Sequence, residues 1–170
     1  MRRALPTIIA LFAAAILQVA VAPNLAIAGA VPNFMLLVVV TLALTQGASA
    51  GAAAGFVAGL VFDLLGAGPI GPGALVFTVI GHLAGSLSAN MFAEGWRLPT
   101  TVVLIASLLT ELSYGAVLAI LGQGEPFWST FVAVMLPTAV YNGVLALLVF
   151  PFLARLLRQD RQMTTFRRLG

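Results

Sequence analysis

The chain has 170 residues, of which 61% are hydrophobic and 8% charged, with a formal net charge of +3 and a mean hydropathy of +1.11. Soluble globular domains carry about 25% charged residues, so this composition excludes one. The absence of cysteine excludes disulfides, thiolate metal sites and cysteine nucleophiles, without identifying a compartment.

A helical crossing of a bilayer needs about 20 mostly apolar residues, and the sequence offers segments for six. The first, Leu5–Ala22, follows Arg2 and Arg3 and stops at Pro23. It imitates a signal peptide, with Ala20-Val21-Ala22 as the small-residue site. The apolar run is longer than the usual core of about 7–15 residues, however, and proline follows the site directly, so an uncleaved helix is expected.

The second segment, Pro32–Thr45, and the third, Ala50–Leu65, are nearly continuous. The third is led by a ladder of glycines four apart (Gly47, Gly51, Gly55, Gly59), and the next step of four lands on Asp63. Glycine weakens a helix in water by about 1 kcal/mol relative to alanine. In lipid, small residues let helix backbones approach closely, which supplies much of the association energy. The ladder reads as a face touched by another helix, belonging either to a partner, to a second copy in a homodimer, or to the same subunit. Asp63 either meets a partner's cation or hydrogen-bonds the Gly66–Gly73 loop.

The fourth segment, Gly73–Met91, leads into a polar row at Thr78, His82, Ser86, Asn90 and Glu94, each four apart. Successive members turn by about 40°, so the row winds around the helix. The fifth, Pro99–Leu121, carries Ser107, Glu111 and Tyr114 on one side, and the sixth, Trp128–Leu157, carries Asn142. His82, Glu111 and Asn142 each fall near the middle of a span, where a charge costs about 2.5–3.5 kcal/mol on translocon scales. They are expected to form one buried polar cluster, serving either as a proton relay or ligand site or as a mutually satisfied joint between helices.

Charge sets the expected topology. With six spans and a cytoplasmic N-terminus, Arg2, Arg3, Arg97, Arg155, Arg158, Arg161, Arg167 and Arg168 all lie inside and Glu125 outside. Merging the second and third segments would put the five tail arginines outside, against the positive-inside rule. Trp96 and Trp128 then fall at opposite interfaces. Residues 1–157 form one transmembrane domain and 158–170 a basic cytoplasmic tail. Arg155, Arg158, Arg161, Arg167 and Arg168 are expected to contact anionic lipid headgroups, each worth about 1 kcal/mol near the surface. No aromatic platform is interleaved with them, so nucleic acid is not the expected partner. Gly47-Ala48-Ser49-Ala50-Gly51 matches the G-x-S-x-G pattern but lacks the strand-to-helix elbow that makes such a serine nucleophilic. There is no Walker loop, H-E-x-x-H or dinucleotide fingerprint.

Pro32-Asn33-Phe34-Met35-Leu36-Leu37, then Gly51-x3-Gly55-Phe56-x2-Gly59-Leu60-x2-Asp63, then Pro69-Ile70-Gly71, together resemble the MreD family of rod shape-determining proteins. Pro137-x3-Tyr141-Asn142, followed by Pro151 and a basic end, is similar to that family's last helix. The alanine-rich, apolar stretch from Pro23 to Val31 departs from the pattern. The resemblance implies an all-α, six-helix inner-membrane scaffold of the bacterial cell-elongation machinery, without enzymatic activity or cofactor. It also implies binding to MreC within a wider complex with MreB, RodA and a class B penicillin-binding transpeptidase. It further implies a fold similar to the S-components of energy-coupling-factor vitamin transporters. Ala10-x3-Ala14 matches the small-residue spacing such S-components use to dock their energising partner, so a vitamin-binding S-component is the alternative.

Overall fold

The computed structural model describes residues 4–27, 29–66, 68–87, 97–122 and 126–165, without the side chains of Ala4, Arg97, Leu98, Phe127 and 158–165. These residues form six helices: α1 Ala4–Ala20, α2 Phe34–Gln46, α3 Ala48–Leu65, α4 Pro72–Ser86, α5 Arg97–Ile120 and a sixth, α6, over 127–165. The last comprises an α-helical turn at Phe127–Thr130, a π-helical segment at Phe131–Met135 and a long α-helix at Leu136–Thr165. Pro137 lies just past the π-helical segment. It has no N–H to give to the carbonyl four residues back, and its ring crowds that carbonyl, a cause of local widening.

α3, α5 and α6 contain windows long and apolar enough to cross a membrane: Ala48–Leu65, Pro99–Ile120 and Trp128–Leu157. The other three are apolar but shorter. α4 ends at Ser86 rather than near Met91, and residues 88–96 lie outside the described part.

α2 is the axis of the bundle. It has no polar face, and every residue from Met35 to Thr45 is buried, as expected of a helix that is apolar all round. α1, α3, α4, α5 and α6 all pack against it. Its two threonines stay satisfied inside the core, because Thr41 Oγ1 donates to the Leu37 carbonyl and Thr45 Oγ1 to the Thr41 carbonyl, each at 2.7 Å. At its start, the Asn33 side chain accepts the Leu36 N–H at 2.9 Å, a cap that occupies one of the four free donors of a first turn. At its end stands Gly47, with φ of 96°. That left-handed conformation favours glycine, and it lets a single residue reverse the chain into α3. α3 then pairs with α4, and α5 with α6.

Candidate functional site

The glycine ladder is consumed within the subunit. A Cβ at Gly51 would run into the backbone of Gly81, one at Gly55 into the backbone of Phe77, and one at Gly59 into Gly73 and Ala74. α4 answers with its own glycines: Gly81 lies against Gly51, and Gly85 against Gly47 and Ala48. The two backbones therefore touch along the whole hairpin. Phe62 and Phe77 close its flank with ring centroids 5.5 Å apart. Of the readings left open for the ladder, packing inside the subunit is the one the geometry occupies. A partner or a second copy cannot reach these glycines without displacing α4.

Asp63 ends the ladder as a helix cap. Its carboxyl oxygens accept the N–H of Gly71 at 2.8 Å, of Gly73 at 3.0 Å and of Ala74 at 3.2 Å, and the side chain is only 3% exposed. Those donors belong to the start of α4 and would otherwise be orphaned in a buried setting. A carboxyl group is also favoured there by the positive end of the helix dipole. Gly71, at φ of 124°, supplies the turn that brings them into reach. Asp63 thus bonds the glycine-proline loop and is not held free for an external cation.

The polar residues of the spans divide into separate sites, not one. Asn142 is fully buried and bridges three helices: its Oδ1 accepts the Asn33 N–H at 2.8 Å, and its Nδ2 donates to Ser107 Oγ at 2.7 Å. Gln18 supports the same junction from α1, donating to the Pro32 carbonyl at 3.1 Å and accepting the Phe34 N–H at 2.9 Å. Sequence reading noted Ser107 beside the expected cluster but missed Gln18 and Asn33 at this junction. The signal was present in part, since both are hydrogen-bonding residues in or beside an apolar segment, although Asn33 meets Asn142 through its backbone N–H.

Glu111 lies one turn beyond Ser107 on α5. It is half-buried, and no hydrogen bond or ion pair reaches it among the described residues. The neighbouring Thr110 is 3% exposed, and its hydroxyl has no partner among the described residues. His82 corrects the expectation of a common cluster. Its side chain is exposed on α4, and no hydrogen bond joins it to Glu111 or Asn142. The reason is the winding of the row. The face of α4 carrying Phe77, Gly81 and Gly85 is buried, which turns His82 outward. The rest of the described row bonds its own helix: Thr78 Oγ1 donates to the Ala74 carbonyl at 2.5 Å, and Ser86 Oγ to the His82 carbonyl at 2.9 Å.

Arg155 is exposed on α6. Arg167 and Arg168 lie outside the described residues, as do the side chains of Arg158 and Arg161. Ser49 is exposed in the first turn of α3, with no strand leading into it, so the nucleophile motif has no elbow. Ala10 and Ala14 are buried in the core against α2, and this small-residue pair offers nothing outward. What the bundle does present is apolar. A groove of about 650 Å³ opens between α1 and α3, lined by Ile8, Phe12 and Ile16 on one side and Val57, Val61 and Leu65 on the other, with Met35 also in its lining.

The chain is thus an all-helical protein with membrane-length apolar helices, whose described polar side chains bond their own helix or tie one element to another. A family model, rod shape-determining protein MreD, matches residues 1–160, and the chain belongs to the MreD family. Membership gives it a role in determining rod shape, in a family of structural proteins not known as enzymes. No curated protein and no solved structure matches the chain.

Proposed function

We propose that the protein is a non-enzymatic scaffold of the cell-elongation machinery in the bacterial inner membrane. It places six helices in the membrane with both termini cytoplasmic, and it binds MreC in a wider complex with MreB, RodA and a class B penicillin-binding transpeptidase. The family match over residues 1–160 carries this reading. The geometry supports it from another side: two of the conspicuous chemical groups of the sequence, Asp63 and Asn142, are committed to internal bonds. Lateral apolar surface remains for partners. With the glycine ladder closed, we assign the contact to the groove between α1 and α3, whose lining takes the apolar face of a membrane-spanning helix. The tail arginines bind anionic headgroups on the cytoplasmic side.

Val57 is 49% exposed in that groove. Val57→Trp fills it without entering the core. The variant is expected to accumulate normally, lose MreC on gentle-detergent co-purification and give rounded cells. Normal accumulation with MreC retained would move the contact elsewhere. Failure of the native chain to bring down MreC would end the scaffold reading. For topology, a single cysteine replacing Gly124 should react with an impermeant thiol reagent in spheroplasts, and one replacing Gly170 should not.

A second reading rests on one observation, the carboxyl group of Glu111 without a partner among the described residues, within a membrane-length apolar helix. Intramembrane ionisable residues mark proton or ligand sites by default. A null phenotype for Glu111→Gln at normal protein level would favour that chemistry over the scaffold, which predicts that Glu111→Gln keeps function.

A further inference from the structure

Between α1 and α2 the chain forms a short strap, described at residues 21–27 and 29–33. We infer that this strap is a re-entrant element embedded in the hydrocarbon of the leaflet on the Trp128 side, with Leu25 and Ile27 against lipid acyl chains. The inference rests on the chain being a membrane protein and is independent of any contact with MreC.

Depth is the first argument, with α6 as the ruler. The strap residues Ile27 and Ala30 line a groove together with Leu136, Pro137, Val140 and Tyr141, and Tyr141 Oη donates to the Leu25 carbonyl at 3.0 Å. At about 1.5 Å per residue, these partners sit about 12–20 Å along α6 from Trp128. The strap's end, Asn33, is bonded at Asn142. That residue is about 21 Å from Trp128 and about 20 Å from Arg155. Tryptophan favours either membrane–water interface and arginine the cytoplasmic side, so with Arg155 at one end of this helix Trp128 marks the other. A helix that carries both sets the strap well inside the apolar layer.

The length of α2 agrees. Its 13 residues rise about 20 Å, against a hydrocarbon core of about 30 Å. α2 cannot lift the strap to the far surface.

The chemistry of the strap is the third argument. Irregular backbone survives at membrane depth only where its polar groups are met by protein. Here Ile27 and Ala30 exchange both backbone hydrogen bonds, at 3.0 and 2.9 Å, and Asn24 N–H donates to the Val21 carbonyl at 3.0 Å. Gln18 and Asn142 hold Pro32, Phe34 and Asn33, and Asn24 Nδ2 donates to the Ala20 carbonyl at 2.9 Å. Loops in water are usually polar; this strap instead shows Leu25 40% and Ile27 63% exposed. The competing arrangement leaves the strap in water and lifts the α5–α6 tip beyond the membrane. It would wet Ile120, Val132 and Val140, which are 84%, 61% and 50% exposed.

The chain has no cysteine, so single spin labels can be placed at will. Ile27→Cys, Leu25→Cys, Val144→Cys on α6 and Leu121→Cys at the end of α5 are labelled in the full chain, reconstituted in phosphatidylcholine–phosphatidylglycerol vesicles. Collision rates with oxygen and with a water-soluble nickel complex are compared. Ile27 and Leu25 are expected to lose collisions with nickel relative to Leu121 and to approach the oxygen-rich signature of Val144. Nickel collisions at Ile27 equal to or above those at Leu121 would place the strap in water and overturn the inference. Leu25 decides in the same way if the Ile27 variant does not fold.

Discussion

The α3–α4 hairpin and the α5–α6 pair are held together by opposite means. Along α3 and α4 there is almost no side chain at the seam: Gly51, Gly55 and Gly59 meet Gly81, Phe77 and Gly73 backbone to backbone, and Asp63 ties the open end. Along α5 and α6 the seam is made of side chains. Leu104 fills the space over Gly143, Met135 over Gly115, and a single buried hydrogen bond joins Ser107 to Asn142. Backbone contact cannot yield without moving a helix, whereas side chains can change rotamer. The first pair is therefore the rigid half of the protein. The second is the adaptable half, and it is also where Glu111 sits, without a partner among the described residues.

The largest expected effect comes from breaking the rigid seam. Gly55→Leu should cost about 3 kcal/mol or more, at the upper end of overpacking penalties, because the new atoms meet the Phe77 carbonyl and not a movable side chain. The protein should disappear from the membrane fraction in an immunoblot. Even Gly55→Ala should lower the unfolding temperature in detergent, since the first added carbon already collides. Wild-type levels of Gly55→Leu would show that α4 does not close on the ladder.

Asp63→Ala follows. It removes one carboxyl group, the shared acceptor of the Gly71, Gly73 and Ala74 N–H groups, and should cost about 1–3 kcal/mol in all. Asp63→Asn should recover part of that stability, because one oxygen still accepts. Thermal unfolding of the purified variants checks the order.

In the adaptable half the penalties should shrink. Asn142→Leu strands the Ser107 hydroxyl and the Asn33 N–H and should cost about 1–3 kcal/mol. Ser107→Ala, which removes only a hydroxyl, should cost less. If Ser107→Ala proved as damaging as Gly55→Leu, the contrast between the two pairs would collapse. At the bottom of the scale stands His82→Leu. The side chain is exposed, so unfolding temperature and cell shape should stay within error of wild type. A strong phenotype at normal protein level would restore His82 to a functional role.

The residues themselves show why some features were legible in sequence and others were not. Six apolar segments and the small-residue ladder are local patterns, and each matches a described helix or seam; the reversal at Gly47 came only with the structure. The complementary ladder on α4 (Gly73, Gly81, Gly85) was equally visible and would have pointed to packing within the subunit. The polar residues were harder. Mid-span depth can be counted along a sequence, but the facing direction of His82, Glu111 and Asn142 depends on how each helix is rotated about its axis. Neighbours set that rotation. α4 turned its glycines to α3 and carried His82 outward, while α6 turned Asn142 to α2 and α5.

Composition and periodicity alone determined that the chain is a helical membrane protein, because one-dimensional apolar length is what a bilayer reads. The ordered motifs determined its family. Only the tertiary structure decided that the glycines are closed within the subunit, that Asp63 caps α4, and that α2 starts deep in the bundle under a strap. Those outcomes depend on which helix meets which at what rotation, and contacts between residues as distant as Asn33 and Asn142 leave no periodic trace in the sequence.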